Sequence, residues 1–353
     1  MKSQIGLLAL IAVTGLQAQT TQKMTTGAFN DYALVYSLPQ TELSVTVTAT
    51  RTEQKAGQFV RYAEQYPNAP QPIGKDSVFW TIDGITVETA SRPDPQEQYS
   101  IQLKPGSSVD FHLSDNGMLA SVNTDPLPIK AKALTPATKP TVMKERVLTP
   151  LYTEEMLVPG STAKMAKTAL EQLHRLRQRR YDILIGDADP FADGESLRVT
   201  LESLLEQEEA FSRLFLGSTE TETRTFTFRY VPSTQKSDDI LFRFSDYYGI
   251  VDKSDLSGAP VQIRIRNTRE NKTEETKQMP QGALAYRIPG EAAIEIVLDG
   301  KTLFNGTFTV AQFGTIYGID PAMLTDKKSP VCATFDPETG AIRSLERMSK
   351  SKK

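Results

Sequence analysis

Leu43, Val45, Val47 and Ala49 alternate with Ser44, Thr46, Thr48 and Thr50. That period of two predicts a strand with one apolar and one hydroxyl face. Phe59, Val60, Tyr62 and Ala63 recur at helical spacing before Pro67 and predict a short helix. Val78 to Val87 reads as a hairpin on Asp83-Gly84, a dipeptide suited to the positive φ angles of a tight turn. Tyr99 to Leu103, Val109 to Leu113 and Met118 to Val122 are further strands, the last two flanking the turn Asp115-Asn116-Gly117. Together these make an N-terminal β-rich domain over residues 28–124.

Residues 125–150 hold Pro126, Pro128, Pro136, Pro140 and Pro150. Proline disfavours helix interiors and central strands, so this stretch is expected to be an extended linker. Residues 151–217 then turn helical. One helix is expected from about Thr162 to Ile185, with Ser161 as N-cap and Gly186 beyond its end. A second is expected from about Glu195 to Phe215, capped by Asp193 and closed by Gly217. The short connection predicts an antiparallel helical hairpin. Arg175, Arg177, Arg179 and Arg180 on the first helix can pair with Glu202, Glu206, Glu208 and Glu209 on the second.

Short strands return over residues 218–347. Phe226, Phe228 and Tyr230 alternate with Thr225, Thr227 and Arg229. Leu241 to Phe244, Val261 to Ile265 and Ala283 to Ile288 follow. Ala293 to Leu298 and Lys301 to Val310 make a hairpin on Asp299-Gly300, and Val331 to Phe335 pairs with Ala341 to Leu345. Many short strands between Gly and Pro turns predict a β-sandwich-like domain. The expected class is therefore α+β, with a basic tail at 348–353. Gly117 to Val122 (Gly-Met-Leu-Ala-Ser-Val) echoes Gly340 to Leu345 (Gly-Ala-Ile-Arg-Ser-Leu). Either a common hairpin solution or a duplicated β module accounts for that echo.

The first eighteen residues change the picture of location. Met1-Lys2 is positive, Ile5 to Val13 is apolar, and small and polar residues lead to Ala18-Gln19. This is the build of a signal peptide over residues 1–18, with cleavage between Ala18 and Gln19. Export to the periplasm or cell surface is expected. No other apolar run is long enough for a transmembrane anchor. The formal net charge of −3 gives no reason to expect nucleic acid as a partner. The single cysteine, Cys332, cannot form an intramolecular disulfide and reads as a buried, inert thiol.

In order along the chain stand Tyr36-Ser37-Leu38-Pro39, the decapeptide Gly57 to Tyr66, Asp193-Gly194, Leu214-Phe215-Leu216-Gly217 and Gln312-Phe313-Gly314. With the leader, they resemble an uncharacterised family of exported proteins of Bacteroides-type Gram-negative bacteria, known as a domain of unknown function. The resemblance covers most of the mature chain. It implies an envelope setting and transfers no catalytic residue.

Candidate chemistry is sparse. His112 and His174 are the two histidines, far apart in sequence, so a His/Cys zinc site is not expected. The acidic run from Asp187 to Glu195 begins like a calcium loop. Phe191 then occupies a ligand position, Ala192 replaces the turn glycine and Arg198 the terminal glutamate. No nucleophile elbow, metalloprotease, phosphate-loop or dinucleotide motif is found, and no cofactor is expected. Forty-three acidic residues make chance carboxylate pairs inevitable. Trp80, the only tryptophan, sits in an alternating run and reads as core rather than a sugar platform. Asp76-Ser77-Val78 fits a short pattern for O-glycosylation of exported proteins in these bacteria and makes Ser77 a candidate. The leading expectation is a non-enzymatic envelope module that binds a protein or a glycan. A hydrolase using loop carboxylates and a structural, oligomer-forming protein are the alternatives.

Overall fold

The computed structural model describes residues 21–23, 33–65, 71–102, 109–128, 148–157, 160–187, 194–268, 282–326 and 329–348. The leader, Ala18, Gln19, Asp193, most of the proline-rich stretch and most of the basic tail lie outside the described residues.

The chain forms β1 (Thr21–Lys23) and β2 (Ala33–Lys55), then a 3-10 turn at Val60–Gln65. β3 (Ser77–Gln102), β4 (Phe111–Leu113) and β5 (Leu119–Val122) follow. The helices come next: α1 (Glu154–Leu157), α2 (Thr162–Ile185) and α3 (Gly194–Leu216). Then come β6 (Ser218–Tyr230), β7 (Asp238–Ser245), β8 (Gly249–Val251) and β9 (Ala259–Asn267). β10 (Leu284–Leu298) and β11 (Lys301–Ile319) precede α4 (Pro321–Leu324), and β12 (Val331–Phe335) and β13 (Ile342–Arg347) end the described fold.

The result is mostly β, in antiparallel sheets, one of them curled into a half-barrel. The sheet orders are β1-β3-β2-β6, β11-β10-β9-β7-β8 and β13-β12-β5-β4. β6 lies along β2 from Leu43 opposite Tyr230 to Lys55 opposite Ser218. β12 lies against β5. Strands from residues 28–124 and 218–347 thus share two of the three sheets.

Alternation in β2 explains the main core. Leu43, Val45, Val47 and Ala49 are fully buried and meet Val261, Ile263, Ile294 and Ile296 from the second sheet. A second cluster joins Tyr36, Leu38 and Tyr99 to Leu284, Ala333 and Phe335 beneath the third sheet. A third holds Ala166, Ala169 and Leu173 of α2 against Phe59, Phe211 and Phe215. The expected cap of α2 is present, with Ser161 Oγ accepting from the Lys164 N–H at 3.3 Å and Gly186 at φ 80°. α3 ends at Gly217, φ 85°.

Two expected breaks are absent. Asp83-Gly84 is not a hairpin turn, because β3 runs straight through it. Thr48 pairs with Gly84 and Ala49 with Ile82, so Asp83 is the extra residue of a bulge. Its carboxylate accepts from the hydroxyls of Thr50 at 2.5 Å and Thr81 at 3.1 Å. β2 offers partners on both sides of the dipeptide, and continuous pairing outweighs the local turn preference. Likewise Ala283–Ile288 and Ala293–Leu298 belong to one strand, β10. Pro289, which has no N–H to donate, sits where the register jumps from Ile288–Thr315 to Gly290–Val310.

The sequence echo belongs to a repeated arrangement. The Ser37 N–H donates to the Gly117 carbonyl at 3.0 Å, and the Arg287 N–H donates to the Gly340 carbonyl at 3.3 Å. Ser114 N–H reaches the Met118 carbonyl at 2.8 Å, and Asp336 N–H reaches that of Ala341 at 2.7 Å. Tyr36 faces Tyr99 across β2 and β3, as Tyr286 faces Tyr317 across β10 and β11. The strands agree in sequence too: Ala33–Pro39 reads Ala-Leu-Val-Tyr-Ser-Leu-Pro, and Ala283–Pro289 reads Ala-Leu-Ala-Tyr-Arg-Ile-Pro. A likeness of this extent goes beyond a shared turn type. Each unit is a long bent hairpin followed by a short one, and the two short hairpins join in the third sheet.

Candidate functional site

Where those two short hairpins meet, a cleft opens. Its volume is about 360 Å³, within the roughly 300–1,000 Å³ of small-ligand clefts. Buried Ala120 of β5 and buried Phe335 of β12 line it. Pro126, Leu127 and Pro128 line it from the segment after β5, and Pro337, Glu338 and Arg343 from the β12–β13 hairpin. Leu127 is 46% exposed, although it is a large apolar side chain.

The β12–β13 turn is held from inside. The Asp336 carboxylate accepts from the N–H groups of Glu338 at 2.8 Å and Thr339 at 3.0 Å. It also accepts from Arg343 Nε at 2.9 Å and Nη2 at 2.6 Å. Burial opposes ionisation of Asp336, but these donors outweigh it and hold the carboxyl below its ordinary range. Gly340 closes the turn at φ 76°, a left-handed conformation that favours glycine. A Cβ there would lie 2.9 Å from Pro39 Cδ, so the turn is fitted against β2. The cleft is therefore lined partly by a hydrogen-bonded turn, by apolar side chains, and by the charged Glu338 and Arg343.

A second, more open depression of about 470 Å³ lies on α2 among His174, Arg177, Gln178, Arg180, Tyr181 and Leu184. Cross-pairing between the helices is present here. Arg180 holds Glu208 through Nε at 2.5 Å and Nη2 at 3.1 Å, and Arg177 Nε is 3.7 Å away from the same carboxylate. Glu202 and Glu209 pair instead within α3, with Arg198 and Arg213.

The residues singled out from sequence do not converge. Ser77 begins β3, is half-buried, and donates its hydroxyl to Gln54 Oε1 at 3.1 Å. His112 on β4 is half-buried, with Nε2 at 3.2 Å from Asp110. His174 is exposed on α2. Cys332 is half-buried rather than buried. Its thiol donates to the Asn123 carbonyl at 3.1 Å, and burial together with Glu346 raises its pKa. Most of the acidic run after Asp187 lies outside the described residues. Among the described residues no group of three His, Cys, Asp or Glu side chains could hold a metal. Trp80 is 7% exposed and part of the main core. The Arg224 guanidinium lies 5.5 Å from its ring centroid.

Sequence reading missed the cleft. Its usable signal is Pro126-Leu127-Pro128 placed just after a short hairpin, with Pro337 inside the equivalent one. It also missed Tyr247 and Tyr248 in the β7–β8 turn, 64% and 62% exposed, with ring centroids 4.9 Å apart edge to face.

No described helix is long and apolar enough to cross a membrane. No curated protein and no solved structure matches the chain. A family model described as a domain of unknown function, DUF4831, matches residues 32–343, and the chain belongs to that family.

Proposed function

We propose that this protein is an exported, non-enzymatic binding module of a Gram-negative cell envelope, and that the proline-walled cleft takes an extended segment of a partner protein. The single observation that carries the reading is the exposed Leu127 lining the same cleft as buried Phe335 and the hydrogen-bonded β12–β13 turn. Apolar surface of that kind is stabilised by covering it. β13 is the outer strand of its sheet, so an incoming strand would find free backbone groups beside the cleft. Export rests on the leader at residues 1–18, cleaved between Ala18 and Gln19.

Two architectural readings go with this. The first two sheets enclose one apolar cluster, which supports a β-sandwich. Early α2 residues share a cluster with late α3 residues, which supports an antiparallel helical hairpin. Ser77 remains the O-glycosylation candidate. The hydrolase alternative has less support. A glycosidase acid needs a raised pKa, whereas Glu53, Glu195, Asp239, Asp252, Asp255 and Asp336 are all shifted downward. A glycan partner is the second reading, favoured by the exposed Tyr247–Tyr248 pair.

The test is capture from envelope extracts alongside a glycan array, with wild type, Leu127→Asp and Tyr247→Ala/Tyr248→Ala. A protein retained by wild type and lost with Leu127→Asp is expected. Retention of glycans lost only with the tyrosine variant would replace the partner class. Polysaccharide or peptide turnover abolished by a carboxylate substitution would overturn the reading. Cell fractionation with N-terminal sequencing tests export and the Ala18–Gln19 cut.

A further inference from the structure

The two short hairpins match position for position. In β4–β5, Phe111 pairs with Val122 and His112 with Ser121, and a bulge at Ala120 then brings Leu113 opposite Leu119. In β12–β13, Ala333 pairs with Leu345 and Thr334 with Ser344, and a bulge at Arg343 then brings Phe335 opposite Ile342. So β4 corresponds to β12, and β5 to β13. The third sheet runs β13-β12-β5-β4. Its inner joint therefore sets the first strand of one hairpin against the second strand of the other. That joint is antiparallel, with Ala333 opposite Val122 and Thr334 opposite Ser121.

A joint between unlike strands does not close on itself. It leaves β13, the counterpart of β5, as one outer edge and β4, the counterpart of β12, as the other. Among the described residues neither edge has a further strand beside it. Each outer strand is also less covered than its joined counterpart. β5 is buried throughout, whereas Leu345 of β13 is 50% exposed at the place where Val122 is fully buried. All three residues of β4 are half-buried, while Ala333, Thr334 and Phe335 at the same places in β12 are buried.

We propose that the β13 edge takes β4 of a second copy of this chain, repeating between molecules the joint that β5 and β12 make within one. The inference deepens the reading above and rests on its claim that the β13 edge is open to a strand. It does not depend on the cleft. The inner joint fixes the register: Leu345 faces Phe111 of the next copy, and Ser344 faces its His112. Pairing the two edges satisfies their free backbone groups, and the Leu345–Phe111 contact covers apolar surface. Contacts between unlike surfaces run head to tail, so the product is a ring or an open chain of copies rather than a two-fold dimer. The outer joint is weaker than the inner one. Inside the chain, Asn123 Nδ2 donates to the carbonyls of Leu324 at 3.2 Å and Val331 at 2.9 Å, and the Cys332 thiol donates to the Asn123 carbonyl. At the same place the outer joint sets Glu346 opposite Asp110, two acidic side chains.

The experiment is sedimentation and light scattering of the mature chain over a wide concentration range, for wild type, Leu345→Glu, Glu346→Lys and Leu127→Asp. Leu345 and Glu346 are exposed, so their variants should keep the wild-type circular dichroism spectrum. Concentration-dependent assembly is expected. Leu345→Glu should raise its dissociation constant about tenfold or more. Glu346→Lys, which meets Asp110 with the opposite charge, should lower it about threefold or more, a gain that poor folding cannot produce. Leu127→Asp should leave assembly unchanged while abolishing capture from extracts, so the cleft and the edge fail separately. In a Cys332→Ser background, a His112→Cys chain mixed with a Ser344→Cys chain should give a mixed disulfide under mild oxidation. A monomer at every concentration would overturn the proposal, as would assembly indifferent to both β13 substitutions. So would a disulfide formed as readily by the Ser344→Cys chain alone, which would mean that two β13 edges pair with each other.

Discussion

Arg287 Nη2 donates to the Asp94 carboxylate at 3.0 Å, with the two side chains only 4% and 5% exposed. Arg287 Nη1 donates to the Pro39 carbonyl at 2.5 Å, while buried Nε has no hydrogen-bond partner. The pair sits where both long hairpins bend. Leu38 faces the surplus residues Asp94 to Glu97 of β3, and Pro289 faces Ala311 to Gly314 of β11. In the repeated arrangement Arg287 occupies the place of Ser37. The arginine is thus a departure from the repeat that fastens one unit to the other.

Removing one partner of a buried pair leaves an uncompensated charge, which costs about 3–5 kcal/mol. Arg287→Met is therefore expected to lower stability in urea by that order. Combining it with Asp94→Asn should cost much less than the sum of the single changes, because the stranded charge is gone. Additive losses would show that the two groups act independently.

The bend of β10 and β11 depends on glycine. A Cβ on Gly314 would overlap the Ile288 carbonyl, and one on Gly290 would lie 2.6 Å from the Phe313 carbonyl. Backbone cannot retreat as a flexible side chain can, so Gly314→Ala is expected to destabilise by about 3 kcal/mol or more. Gly84 is the control. Nothing lies within 4 Å of its would-be Cβ, and Gly84→Ala should stay within about 0.5 kcal/mol in thermal unfolding. Equal effects at the two positions would remove close approach as the cause.

These contacts explain what the chain disclosed beforehand and what it hid. Ser161, Gly186 and Gly217 act through their own backbone neighbours, so the ends of α2 and α3 were readable from single residues. So was the Asp299-Gly300 turn, at φ 49° and 80°. Asp83-Gly84 carries the same local signal but lies opposite a long partner strand, and the partner decides. The motif Gln312-Phe313-Gly314 marks the bend. Gln312 Oε1 accepts from the Thr41 N–H at 2.9 Å, and Nε2 donates to the carbonyls of Thr41 and Pro232 at 3.0 Å each. Its role depends on residues remote in sequence, as does the cleft, whose two walls meet only after β5 pairs with β12. The repeat is written in the chain in two places: in the Gly117 and Gly340 hairpins, and more fully in Ala33–Pro39 and Ala283–Pro289.

Trp80 reports on the main core. Its backbone N–H donates to the Asp246 carbonyl at 2.6 Å, and Gly249 packs on the indole. A Cβ on Gly249 would lie 2.7 Å from Trp80 Cδ2, and its φ of 78° disfavours any side chain. Since Trp80 is the only tryptophan, intrinsic fluorescence should be blue-shifted in the native protein. Gly249→Ala should shift emission to the red and lower the unfolding midpoint. Unchanged emission in a folded variant would mean that the indole does not rest on this glycine.

Asp336 should give the cleft wall an acid limb. Its carboxyl is held below the ordinary value of about 3.9, because Arg343 and two backbone N–H groups favour the anion more than burial disfavours it. A depressed folded-state pKa means that the unfolded chain binds the proton first as pH falls. The stabilisation is therefore complete above about pH 4, and it is lost as pH drops through the folded value. Asp336→Asn keeps the shape but removes the titration. The variant is expected to be less stable than wild type at pH 7, and the difference should shrink steadily below pH 4 in chemical unfolding. The pairing of the carboxylate with Arg343 is electrostatic, so salt should narrow the gap at pH 7 but not near pH 2. A gap that stays constant from pH 7 to pH 2 would show that the ionised carboxylate contributes nothing to holding Pro337 and Glu338 on the rim.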